Sequence, residues 1–289
     1  MVKRVITGVV FTVVILVGIA LQGWVLRLLL LFAMLLSLSE MYRAFRKIGA
    51  DPVRWAGYVY CCLAVIAQSM YSQLNHPMFR EISPPMLALT LSLLLAMTVI
   101  IVRGKLAFDS LLMTVFPMLY PGLFFSLMLT LQDLNSRFAS TVALILMFFI
   151  ASVNDVFALL IGVRFGKHRL SPLISPKKSV EGSIAGLIAS VLFAVFVPAA
   201  FNLLASVFPQ LNPTGVVLPP LWSFAILGLV AGALSQVGDL VASLVKRHCG
   251  IKDFGTIFPG HGGILDRFDS VMFIAPFVAI AVRYFFYVL

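Results

Sequence analysis

Along this chain apolar positions come in long blocks, and polar ones are confined to short gaps between them. Runs of about 20 apolar residues, the length that crosses a hydrocarbon layer of about 30 Å, are expected as helices over 4–21, 24–45, 55–74, 84–102, 110–131, 138–162, 182–206, 219–246 and 268–288. Apolar runs of this length carry no strand-like alternation. The fold class expected is all-α: a polytopic integral membrane protein with about nine transmembrane helices. Pro84-Pro85 and Pro219-Pro220 open spans, where a missing N–H costs little. Met1 to Leu21 mimics a signal peptide, but no small-residue cleavage site precedes a polar start, so it is read as the first retained span.

Composition agrees. Of 289 residues 61% are hydrophobic and 11% charged, with a mean hydropathy of +1.07, whereas a soluble domain is about 25% charged. The net charge of +10 is therefore not read as a nucleic-acid footprint. Basic residues fall in short loops. With the N-terminus and alternate loops on one side, that side holds 17 Lys and Arg and the other holds 4, which makes the basic side cytoplasmic. The N-terminus is expected inside, and so are the loops at 163–181 and 247–267. Cys61, Cys62 and Cys249 have no spacing that suggests a disulfide framework or a zinc site. No internal repeat is visible. The chain reads as one membrane domain, with N-terminal helices over 1–136 for lipid contact or dimerisation and a catalytic half over 137–289.

One stretch breaks the apolar pattern. Between Ser243 and Asp269 lie Lys246, Arg247, Lys252 and Arg267, together with Asp253, Asp266 and Asp269. A charged, glycine-rich loop between two membrane segments is costly unless used. Asp239, Ser243 and Lys246 follow at i, i+4 and i+7, one helical face. Asp239 within a span needs a partner: either a basic residue for structure, or a metal or substrate-bound cation. Asp266 and Asp269 suit a helix start by dipole alone. Taken with Asp239, they offer oxygen ligands for Mg²⁺, which is held by one or two carboxylates plus substrate phosphates. The catalytic candidates are Asp239, Lys246, Asp266 and Asp269.

Around them stand candidate phosphate contacts. Arg247, Lys252 and Arg267 neutralise phosphate charge. Ser243, on the helical face of Asp239, is a further phosphate candidate; Gly260, Gly262 and Gly263 allow close backbone approach, and His261 serves either as an acid or base or as a hydrogen-bonding turn residue. The 163–181 loop adds Ser175, Lys177, Lys178 and Ser179, with Ser179 as N-cap of the next helix and the two lysines beside a helix N-terminus suited to phosphate. Asp155, expected to be buried at membrane depth on the face of Gly162, is a further candidate and needs a partner. Glu40 raises the same question and is read as structurally paired.

These residues carry a resemblance. Ser243, Lys246-Arg247, Lys252-Asp253, Gly255, Pro259-Gly260-His261-Gly262-Gly263, Asp266-Arg267 and Asp269 reproduce the signature of the phosphatidate cytidylyltransferases, or CDP-diacylglycerol synthases. Gly238-Asp239-Leu240, Ser175-Pro176-Lys177-Lys178-Ser179, Glu181-Gly182, Asn154-Asp155, Gly166-Lys167 and Arg4-Val5-Ile6-Thr7 extend it along the chain. The resemblance implies a nucleotidyltransferase of phospholipid biosynthesis that joins CTP and phosphatidate into CDP-diacylglycerol and pyrophosphate. It further implies Mg²⁺ held by Asp239, Asp266 and Asp269, with a second, monovalent cation left open. A homodimer in the cell inner (plasma) membrane, among membrane lipids, is the expected setting. The chain departs from the family at Ala242, where Glu is common nearby, at Phe254, where Ser is common, and near Leu159, where Tyr is usual. A paralogue with altered nucleotide or lipid substrate is one alternative. The other is a secondary transporter or channel using Glu40, Asp155 and Asp239, which the one-sided charge and the absence of repeated halves oppose.

Overall fold

The computed structural model describes residues 2–74, 83–102, 108–134, 136–213, 215–258 and 262–285. Helices dominate: α1 (Val2–Leu21), α2 (Gly23–Lys47), α3 (Arg54–Leu74), α4 (Pro84–Val102), α5 (Phe108–Pro117), α6 (Phe124–Leu131), α7 (Arg137–Phe165), α8 (Val180–Val207), α9 (Leu221–His248) and α10 (Leu265–Phe285). Two short strands, β1 (Arg169–Ser171) and β2 (Ser175–Ser179), lie between α7 and α8. Among the described residues, six segments are long and apolar enough to cross a membrane: Gly23–Lys47, Pro84–Val102, Phe108–Leu131, Arg137–Phe165, Val180–Val207 and Leu221–His248. The protein is an all-α integral membrane protein. Every expected span overlies a helical segment, but these six do not establish nine crossings.

Two compact units are formed, one from Met1–Thr130 with Lys246–Phe268, the other from Leu131–Val245 with Asp269–Leu289. The cationic stretch after α9 thus packs with the N-terminal helices, a grouping that chain order does not suggest.

In the first unit, buried polar groups join the helices. Tyr42 of α2 donates its hydroxyl proton to the Thr114 carbonyl at 3.1 Å, and the Val53 N–H donates to Thr114 Oγ1 at 2.9 Å. Tyr60 and Ser126 hydroxyls pair at 3.0 Å. In an apolar surrounding such bonds satisfy groups that have no water to turn to, and they fix which helix faces meet. The span expected over 110–131 is not one straight helix. A π-helical turn over Met118–Leu123 separates α5 from α6, with Tyr120 at φ −126°, ψ 108°. The cause is proline: Pro117 and Pro121 lack N–H groups and their rings crowd the preceding turn.

In the second unit, α7 and α8 pack along small residues, Gly162 against Gly182 and Asn154 against Gly186. Asn154, fully buried, donates to Ser190 Oγ at 3.0 Å and to the Gly232 carbonyl at 3.2 Å, so it ties α7 to both α8 and α9. Gln236 of α9 donates to Asn154 Oδ1 at 3.2 Å and to the Ser183 carbonyl at 2.9 Å, while Ser183 donates its hydroxyl back to Gln236 Oε1. Burial was expected of Asp155, but the residue buried at this level of α7 is Asn154, and neighbouring Asp155 lies on the exposed surface of that helix. Successive helical positions point about 100° apart, so the two cannot share a face.

The 163–181 segment, expected as a loop, is also more ordered. β1 and β2 pair antiparallel, with Arg169 opposite Ser179 and Ser171 opposite Ser175 and an irregularity between. Ser179 caps α8 as expected, its Oγ accepting the Gly182 N–H at 3.2 Å.

Candidate active site

The end of α9 sets up the cationic stretch. The Gly250 N–H donates to the Arg247 carbonyl at 3.1 Å and the Ile251 N–H to the Lys246 carbonyl at 2.9 Å. Gly250 has φ 62°. This is a Schellman closure, in which only a residue at ease with left-handed backbone turns the chain off the helix. Lys246 and Arg247 in that last turn also complement the helix dipole.

The chain then runs out and back to α10, and Asp266 gathers the two legs. Its Oδ1 accepts from Lys246 Nζ at 2.8 Å, and its Oδ2 accepts the Phe254 N–H at 2.8 Å and the Gly263 N–H at 3.0 Å. The Lys246 ammonium also lies 5.5 Å from the centre of the Phe254 ring, within cation–π range. Asp266 is 8% exposed, so two backbone amides and the Lys246 ammonium offset the loss of water. Phe254 takes part through its backbone N–H and its ring face.

The loop is closed further out by the Phe258 N–H donating to the Gly262 carbonyl at 2.9 Å. The Phe258 ring meets Phe11 of α1 edge-on at 5.7 Å, and Phe11 in turn meets Phe268 at 5.3 Å. Pro259, Gly260 and His261 lie outside the described residues, and so do the expectations placed on Gly260 and His261. Of the other expected phosphate contacts in this unit, Arg247, Lys252 and Arg267 are exposed, Gly262 is half-buried and Gly263 is buried. Cys249 is buried beside the cationic run; burial pushes its thiol up, which removes it as a ready nucleophile.

The second unit has charged groups of its own. Lys178 Nζ of β2 lies 2.5 Å from Asp239 Oδ2 of α9, each side chain about a quarter exposed at 25% and 27%. Ser243 donates to Asp239 Oδ1 at 3.4 Å, so the i, i+4 relationship is realised. Ser175 is half-buried and Lys177 exposed. Ser179 is buried with its hydroxyl committed to the cap. Asp269, 8% exposed, accepts the Ser270 N–H at 2.7 Å.

Glu181, which the sequence offers only as part of the family resemblance, has a role that spacing did not reveal. Its carboxylate accepts the N–H groups of Lys167 at 3.1 Å and His168 at 3.3 Å, and meets His168 Nδ1 at 2.7 Å. It pins the start of the hairpin to the first turn of α8 and so orients Lys177 and Lys178. The available signal was an acid two residues after an N-cap serine.

Among the described residues no three Asp, Glu, His or Cys side chains group as a metal cage. The donor chemistry still fits a hard divalent cation, because Mg²⁺ takes only one or two carboxylates and fills the rest of its shell with water and phosphate oxygens. Each carboxylate has about four lone-pair positions, more than the bonds described at Asp239.

A family model, the cytidylyltransferase family, matches residues 2–285. Proteins named phosphatidate cytidylyltransferase from Staphylococcus saprophyticus, Staphylococcus haemolyticus and Staphylococcus aureus are 44%, 41% and 44% identical to this chain over 133 residues. That stretch is 46% of this chain and 46% of each relative; the chain spans about half the length of the relatives it matches. With the match running along nearly all of the sequence, and with Asp266 and Lys246 joined at the heart of its charged loop, the chain belongs to the cytidylyltransferase family.

Proposed function

We propose that this protein is a phosphatidate cytidylyltransferase, joining CTP and phosphatidate into CDP-diacylglycerol and pyrophosphate. The observation that carries the reading is the family match over residues 2–285, with relatives of that printed name at 41–44% identity. The chemistry of the two substrates supports it. One is an acyl lipid and the other a soluble triphosphate, so a membrane protein that keeps its charges in a few loops offers them a meeting place.

In the reaction proposed, a phosphate oxygen of phosphatidate attacks the α-phosphorus of CTP. The bond from that phosphorus to the α,β-bridging oxygen breaks, and pyrophosphate leaves with the electron pair. No side-chain nucleophile is needed; catalysis is positioning and charge neutralisation. Arg247, Lys252 and Arg267 bind phosphate oxygens from one loop, with Gly260, His261 and Gly262 offering backbone contacts, while Gly263 gives its N–H to Asp266 and supports the turn. Ser175, Lys177 and Lys178 bind them from the hairpin. Lys246 holds Asp266 in place, and Lys178 and Ser243 hold Asp239. Asp239, Asp266 and Asp269 would hold Mg²⁺, which when bound supplies further neutralisation of the triphosphate. Asp155 has no assigned part. The 17-to-4 distribution of basic residues supports cytoplasmic loops and a cytoplasmic N-terminus in the cell inner membrane, and we read the protein as a homodimer.

The test is label transfer from radioactive CTP into the lipid phase, using purified protein in phosphatidate-containing vesicles with Mg²⁺. Label in CDP-diacylglycerol, abolished by EDTA and restored by excess Mg²⁺, is the expected result. No CTP-dependent lipid product would overturn the reading.

A further inference from the structure

Glu40 is fully buried in α2 and plays no part in the reaction above. Its two carboxyl oxygens each accept a backbone amide from the far end of the sequence. The Ile264 N–H meets Oε1 at 3.1 Å and the Leu265 N–H meets Oε2 at 2.9 Å. These amides open α10, so Glu40 acts as a remote N-cap on the helix that carries Asp266. Helix N-termini leave amides unsatisfied and favour a carboxylate, but the ordinary solution is a local Ser, Thr, Asp or Asn. Ile264 and Leu265 have no such neighbour immediately before them. A glutamate inside an apolar helix is a costly substitute.

The packing around the carboxyl group is close on both legs of the loop. A methyl group added at Gly255 or at Gly263 would collide with the Glu40 carboxyl oxygens. The same two legs are held from the other side by Asp266, through the Phe254 and Gly263 amides. Asp266 therefore stitches Phe254 to Gly263, while Glu40 holds Ile264 and Leu265 and packs closely against Gly255. Moving Glu40 shifts the first turn of α10, and with it the point from which Asp266 reaches Lys246.

We propose that Glu40 is a positioning residue for the charged loop: by holding the Ile264 and Leu265 amides it fixes the start of α10 and hence the Asp266–Lys246 pair. Its catalytic consequence rests on the transferase reading given above; its hold on the loop does not. Placement that matters in the transition state lowers kcat and kcat/KM together and leaves KM nearly unchanged, and misplacement by about 1 Å costs on the order of 100-fold.

The test compares wild type, Glu40→Gln and Gly255→Ala in lipid-reconstituted protein, by amide hydrogen exchange and by CTP turnover. Glu40→Gln keeps the side-chain shape but loses one acceptor. Gly255→Ala pushes on the carboxyl group from the opposite leg, and serves if the first variant fails to fold. Expected are faster exchange, by about tenfold or more, in the segment 262–266, unchanged protection in α2 and α7, and kcat reduced about 10- to 100-fold with KM for CTP within about threefold. Wild-type exchange and wild-type kcat in both variants would overturn the proposal. So would exchange rising evenly through the whole first unit, which would make Glu40 a general folding residue. A wild-type protein that transfers no cytidylyl group but shows the local exchange change would refute the reaction and uphold the hold on the loop.

Discussion

Lys246 Nζ sits 2.8 Å from Asp266 Oδ1, the lysine side chain 13% and the aspartate side chain 4% exposed. An ion pair this sheltered is a poor source of net stability but expensive to break from one side. Lys246→Met is expected to leave a buried carboxylate without its cation and to lower stability by about 3 kcal/mol, read by thermal or denaturant unfolding in detergent. A loss below about 0.5 kcal/mol would place the pair in solvent instead.

The Lys178–Asp239 pair calls for the opposite balance. At about a quarter exposure on each side it should contribute no more than about 1 kcal/mol. Lys178→Ala and Asp239→Ala are therefore expected to melt close to wild type, while CTP turnover falls at least tenfold in each. Equal losses of stability and of turnover would make the pair purely structural.

Phe254 separates backbone from side chain. Its amide bonds Asp266 and its ring faces Lys246. Phe254→Ser keeps the amide and is expected to lower stability by about 3 kcal/mol, since the ring is buried, yet to retain most of the turnover of the protein that folds. Phe254→Pro removes the N–H and is expected to fall much further. Equal activity in the two variants would refute the amide's role.

Ser179→Ala removes the cap hydroxyl that accepts the Gly182 N–H. It is expected to cost about 1 kcal/mol, measured by unfolding, and to raise amide exchange at the start of α8 and in the adjoining hairpin. Unchanged stability would show that water or another group caps α8 as well.

Much of this was legible in the residues. Apolar runs of span length named the fold class, and the spacing of Asp239 and Ser243 named a real contact. The serine before Val180 named a real cap. What escaped has a common physical cause: it depends on pairing between residues far apart in sequence, or on which side of a helix a residue faces. Nothing local to Glu40 points to Ile264 and Leu265, 224 and 225 positions away. Asn154 and Asp155 are both polar in an apolar run, and only packing decides that the first is buried. The hairpin at 169–179 hides in a basic stretch whose charges read as topology. The break at Pro117–Pro121 was visible as two prolines inside a span, but composition alone did not say that the helix would yield there.

The central claim is that the carboxylate gathering the charged loop serves transfer of a cytidylyl group to a lipid. The most direct measurement is CTP-dependent labelling of phosphatidate by purified, lipid-reconstituted protein, with wild type and Asp266→Asn side by side at matched folding. The account predicts labelled CDP-diacylglycerol from the wild type and at least a 100-fold loss in the variant, the scale of removing one preorganised electrostatic contact. Full turnover by Asp266→Asn would contradict it.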